Sequence, residues 1–174
     1  MHYAGIGLIL ILTIGLLHCA DPRPPKIIKV LVGPIELASR QGFVNDFAGI
    51  LDNSARQKLE SDLDTLKRQV GIELVIVIVK STGGYSLEDH SMEIARQWCL
   101  DCRLQTRGEI LLDIAMKDQE FRFNVSKPLW TDLPNEEVEK FQQALELSFS
   151  GGEYSKGLID VVSKISAKFA QRRY

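Results

Sequence analysis

The sequence predicts an α/β fold in which a small mixed β-sheet is flanked by helices, and three observations carry that expectation. The run Ile72–Val79 is β-branched and nearly continuous in apolarity, as a strand covered on both faces should be. Segments with a helical apolar period stand on either side of it. A second apolar strand, Glu109–Ala115, follows one of these helices, so strand, helix and strand make a right-handed crossover with parallel pairing.

The elements follow in chain order. From Tyr3 to Leu17 the chain is uncharged and apolar, too short for a spanning helix of about 20 residues but suited to the core of an export signal. Its end, Leu16-Leu17-His18-Cys19, resembles a bacterial lipobox, which makes Cys19 the expected lipidation site. His18 stands where a small residue is usual and no Lys or Arg precedes the run, so an uncleaved anchor and an ordinary cleaved leader remain open. Residues 1–19 are thus read as leader and 20–42 as an extended linker, because Asp21-Pro22-Arg23-Pro24-Pro25-Lys26 is proline-rich. Within that linker Ile27–Val32 fits either an edge strand or a mobile segment. Residues 43–172 form the domain. Its 174-residue chain holds 23 acidic and 21 basic residues, a balance that supplies no field for capturing nucleic acid.

In the domain, Asp52 or Ser54 caps a helix whose stripe is Leu59, Leu63, Leu66 and Val70, and Gly71 ends it. Ser86 and Asp89 stand at capping-box-like spacing for a helix reaching about Trp98, which lies in phase with Ile94 and Ala95 as core. After Ala115 the chain turns back. A two-residue turn at Lys117-Asp118 sets Met116 opposite Gln119, Ile114 opposite Phe121 and Asp113 opposite Arg122. A buried carboxylate at Asp113 is costly unless paired, and Arg122 is its expected partner. Two helices close the chain, one from about Asn135 to Leu147 and one from about Tyr154 to Gln171.

This order of segments resembles the TPM-domain family of bacterial envelopes and the thylakoid lumen. The resemblance rests on Val44-Asn45-Asp46-Phe47-Ala48-Gly49-Ile50-Leu51, on Gly83-Gly84, on Trp98, on the segment ending at Asp118, on Arg122, and on Phe149 through Gly152, Tyr154 and Gly157-Leu158. It implies an α/β/α sandwich, which agrees with the pattern of the elements. It further implies an accessory or repair factor of membrane complexes, with acid phosphatases and calcium binders among the family's members. One element departs from the family: its glycine-rich turn with a glutamate is replaced by Lys127-Pro128-Leu129-Trp130. Such residues neither admit a ligand to the backbone nor ligate a hard cation.

Candidate chemistry is sparse. Asp46, Asp118 and Asp132 lie in loops or at element ends, and if they converge they supply oxygen ligands to calcium or another divalent cation. Cys99 and Cys102 form a CxxC at a helix C-terminus, where the dipole opposes a reactive thiolate, so an exported chain is expected to close them into a disulfide. His90, the one histidine after the leader, reads as a surface residue, and Leu129-Trp130 as an exposed contact for a partner. The expected function is therefore an exported, periplasmic or membrane-anchored module that binds a membrane protein complex without catalysis. The alternative is a divalent-cation-dependent acid phosphatase using Asp46 and Asp118.

Overall fold

The computed structural model describes residues 37–100 and 107–171. The leader with Cys19, the proline-rich stretch, Ile27–Val32 and Cys102 lie outside them. No helix among the described residues is long and apolar enough to cross a membrane.

A short strand β1 (Val44–Asp46) leads into helix α1 (Asn53–Val70). Asp52 caps α1 by accepting from the Ala55 amide at 2.8 Å, and Gly71 ends it with φ 77°; a left-handed residue of this kind satisfies the last carbonyls without a Cβ penalty. Strand β2 (Ile72–Val79) follows, then α2 (Leu87–Gln97), β3 (Gly108–Ala115) and β4 (Glu120–Val125). After a 3₁₀ turn at Lys127–Leu129 come α3 (Asn135–Ser150) and α4 (Tyr154–Ala170). Ser86 caps α2 by accepting from the Asp89 amide at 3.0 Å and donates its hydroxyl to the Asp89 carboxylate at 2.7 Å, so the two residues at capping-box spacing do meet, side chain to side chain.

The four strands run in the order β1-β2-β3-β4. β1 and β3 pair parallel to β2, and β4 pairs antiparallel to β3. Asp113 faces Arg122 and Ile114 faces Phe121, the register expected of the hairpin. The turn itself is longer than two residues. Its four residues, Met116–Gln119, lie outside the ladder, and Gln119 takes a left-handed φ of 54°. Met116 instead donates its amide to the Val79 carbonyl, continuing toward β2.

Alternation sorts the side chains into two cores. Leu74, Ile76, Ile78, Ile110, Leu112 and Ile114 face α1, α3 and α4. Val75, Val77 and Leu111 face the opposite side, where Ile94 of α2 covers them and Trp98 packs alongside. Helices on both faces of one mixed sheet make an α/β/α sandwich. Each fully buried Leu or Ile of the larger core is worth about 1.5–3 kcal/mol of transfer free energy, so this face carries most of the stabilisation.

Residues just before Phe43 also touch the domain. Leu37 packs on the smaller core, and Arg40 reaches the buried Glu73 at 2.6 Å while Lys67 reaches it from α1 at 3.1 Å. The described end of the expected linker is therefore fastened to the fold.

Candidate functional site

In a sheet with parallel strands, ligand sites form where the strands' carboxyl ends meet their loops. Here that end is built from the segment after β1, the loop Ser81–Tyr85 and the β3–β4 hairpin. Gly83 and Gly84 have φ of 69° and 95°, which lets the chain fold back sharply into α2. Thr82 donates its hydroxyl to the Tyr85 carbonyl at 2.6 Å and closes the loop.

Asp46 and Asp118 both lie at this end, yet each is engaged in bracing its own loop. Asp46 accepts from the Gly49 and Leu51 amides at 2.8 and 2.9 Å. Asp118 accepts from the Ser81 hydroxyl and the Thr82 amide, each at 3.3 Å, tying the hairpin to the loop after β2. Asp132 is elsewhere: it pairs with Arg107 at 3.2 Å, next to the start of β3 and so at the opposite end of the sheet. The three aspartates thus do not form one ligand set, and among the described residues no three His, Cys, Asp or Glu side chains are grouped to hold a metal ion.

Two expectations are corrected on the α2 face. His90 is 4% exposed, and its Nδ1 lies 2.7 Å from Asp113 Oδ2. Asp113 is fully buried, and the Ser91 hydroxyl lies 3.0 Å from it while sharing its one proton with the Leu87 carbonyl at 2.6 Å. Arg122 does not neutralise it. Although opposite in the ladder, Arg122 turns to Asn124 at 2.9 Å and to Glu88 at 3.4 Å, remaining partly in solvent. The physical reason is access: α2 lies over β3 and β4 and brings a short imidazole directly above Asp113, so the guanidinium keeps its hydration.

Leu129 is likewise not a surface residue. It is fully buried against Gly108, whose missing side chain makes the room. Trp130 is 58% exposed, with its indole N–H donated to the Val125 carbonyl at 2.9 Å. Cys99 is disulfide-bonded and has a left-handed φ of 52° directly after the C-cap of α2.

The sequence reading missed a second feature, the outer edge of β4. Ser126 donates its amide to Glu109, so even-numbered residues of β4 bond inward to β3 and odd-numbered ones turn outward. The Phe121 and Val125 carbonyls on that edge receive side-chain donors from Gln142 and Trp130. The Phe123 amide and carbonyl, and the Phe121 and Val125 amides, have no partner among the described residues. Beside them runs a groove of about 600 Å³ between the start of α2 and α3, where Glu88, Glu120, Glu139 and Glu146 surround Arg122, the one cation among its described lining residues. The available signal was that β4 returns from a hairpin and that only helices follow it among the described residues, so no later strand covers its outer side.

Comparison with known proteins places the fold. The TPM domain family matches residues 44–168, so the chain belongs to that family. Its structure resembles the N-terminal domain of a protein from P. gingivalis, with a TM-score of 0.66 and 23% identity over 74% of this chain and 82% of that one. It also resembles the BA42 protein of the psychrophilic bacterium Bizionia argentinensis, with a TM-score of 0.62 and 16% identity over 72% and 86% of the two chains. A third likeness is the N-terminal domain of the cg2496 protein of Corynebacterium glutamicum, with a TM-score of 0.60 and 11% identity over 82% and 90%. At these identities the likeness establishes the α/β fold alone. None of the curated proteins matches this chain.

Proposed function

We propose that the domain is an accessory module of the cell envelope that holds a protein of a membrane complex, without chemistry of its own, by adding an extended basic segment of that partner to the edge of β4. The observation that carries this reading is the edge beside the groove, where the Phe123 amide and carbonyl and the Phe121 and Val125 amides have no partner among the described residues, while the Phe121 and Val125 carbonyls are taken by Gln142 and Trp130. Natural proteins usually blunt such an edge, because its free amides and carbonyls template a further strand. Four glutamates against one arginine favour a basic occupant. The apolar leader, with lipid at Cys19, would deliver the domain to the membrane surface where such a partner stands.

A photo-crosslinking residue at Glu139, in the groove, is compared in cells with one at Ser163, exposed on α4. The reading expects an adduct with a membrane-complex subunit from position 139 only, and its loss when Glu146→Lys and Glu120→Lys reverse the groove's charge. Equal adducts from both positions, or none from 139, would overturn it.

A further inference from the structure

We propose that the cavity between α2 and the carboxyl ends of β1 and β2 binds a small aromatic molecule bearing one hydroxyl group, which His90 recognises. The cavity measures about 350 Å³. Pockets that hold small molecules span roughly 300–1,000 Å³, so this one suits a single ring better than a larger ligand. Phe47, Val77, Val79, Ile94 and Trp98 line it, and these apolar walls disfavour a charged guest.

Its polar side chains are Ser81, Thr82, Tyr85 and His90, and Tyr85 is already engaged within the protein. The Ser81 hydroxyl is donated to Asp118 and the Thr82 hydroxyl to the Tyr85 carbonyl, so both already serve the loop. His90, which also lines the cavity, is different. Asp113 holds its Nδ1 at 2.7 Å, which fixes the ring and places the proton on Nδ1. In the neutral ring Nε2 is then a hydrogen-bond acceptor, and no partner for it is found among the described residues. The second oxygen of Asp113, Oδ1, is buried without a partner. The carboxylate's charge is therefore spent mainly on the imidazole, which strengthens Nε2 as an acceptor. An aligned acceptor at the end of an apolar slot fits a guest with one O–H donor. An anion would meet the Nε2 lone pair, and a pure hydrocarbon would leave Nε2 unsatisfied.

The test is a titration of the protein with phenol and with toluene, followed by NMR of the His90 ring and the Val77 and Val79 methyls. Saturable shifts are expected with phenol, with toluene weaker by about tenfold or more, the worth of one hydrogen bond to a buried acceptor. Val79→Phe fills the slot while leaving the His90–Asp113 pair intact, and it should abolish the phenol shifts. Asp113→Asn should erase the preference for phenol over toluene. Absence of saturable shifts, equal affinity for the two probes, or shifts that survive Val79→Phe would each overturn the proposal. None of these readouts involves the β4 edge, so the two proposals fail separately.

Discussion

Replacing Gly108 with alanine would set a methyl group 2.5, 2.7 and 2.9 Å from Cγ, Cδ2 and Cδ1 of Leu129. Carbon atoms rest at about 3.5–4.0 Å, so the overlap involves the whole branched end of a fully buried side chain. Relief requires Leu129 to leave its rotamer or the 3₁₀ turn to shift, and overpacking of this kind costs about 1–3 kcal/mol. Leu129→Ala alone empties the same place and should cost about 2–5 kcal/mol. In the double variant the new methyl enters the space Leu129 vacates, so the combined loss should fall short of the sum by about 1–3 kcal/mol. The assay is urea unfolding of all four proteins with the disulfide kept oxidised, supported by heating, where 1 kcal/mol moves the midpoint by roughly 3–5 °C at this size. Additive losses within about 0.5 kcal/mol would refute the packing. A stable Leu129→Ala variant would return Leu129 to the surface.

Three further outcomes are expected. Burial pushes the Glu73 carboxyl up, but hydrogen bonds and charge from Arg40 and Lys67 outweigh it and hold it below the ordinary 4.5; its contribution is fully present above pH 4.5 and is lost as pH falls through the lower folded value. Urea midpoints measured against pH should therefore drop on the acid side, and Glu73→Gln should flatten that drop while lowering stability at neutral pH. Gln119→Gly should raise stability by about 0.5–1 kcal/mol in the same unfolding assay, since the left-handed φ of 54° strains a residue with a Cβ. Acrylamide should quench the fluorescence of Trp130, which is 58% exposed, well before that of Trp98, and Trp130→Phe should remove the easily quenched component.

Much of the fold was legible because its signals are local. The stripe Leu59, Leu63, Leu66 has helical spacing, and Asp52, Ser86 and Gly71 act within one turn of the ends they cap. The hairpin register was readable even though the turn proved longer, because the two strands still pair symmetrically about Lys117 and Asp118. The candidate sites were less legible. Three aspartates in loops look alike in sequence, but β1 and the hairpin carry Asp46 and Asp118 to one end of the sheet while Arg107 holds Asp132 at the other.

By itself, the sequence determined the kind and order of the helices and of the strands β2 to β4, and the parallel crossover, since periodicity and capping depend only on near neighbours; the three-residue strand β1 was too short to carry such a signal. The tertiary structure decided which groups meet across elements. Asp113 could have taken the cross-strand Arg122, but α2 crossing above β3 supplied His90 at 2.7 Å. Leu129 reads as loop surface until Gly108, remote in sequence, opens a place for it in the core. These outcomes depend on distances between segments that fold from opposite ends of a crossover or hairpin, and no local pattern encodes such distances.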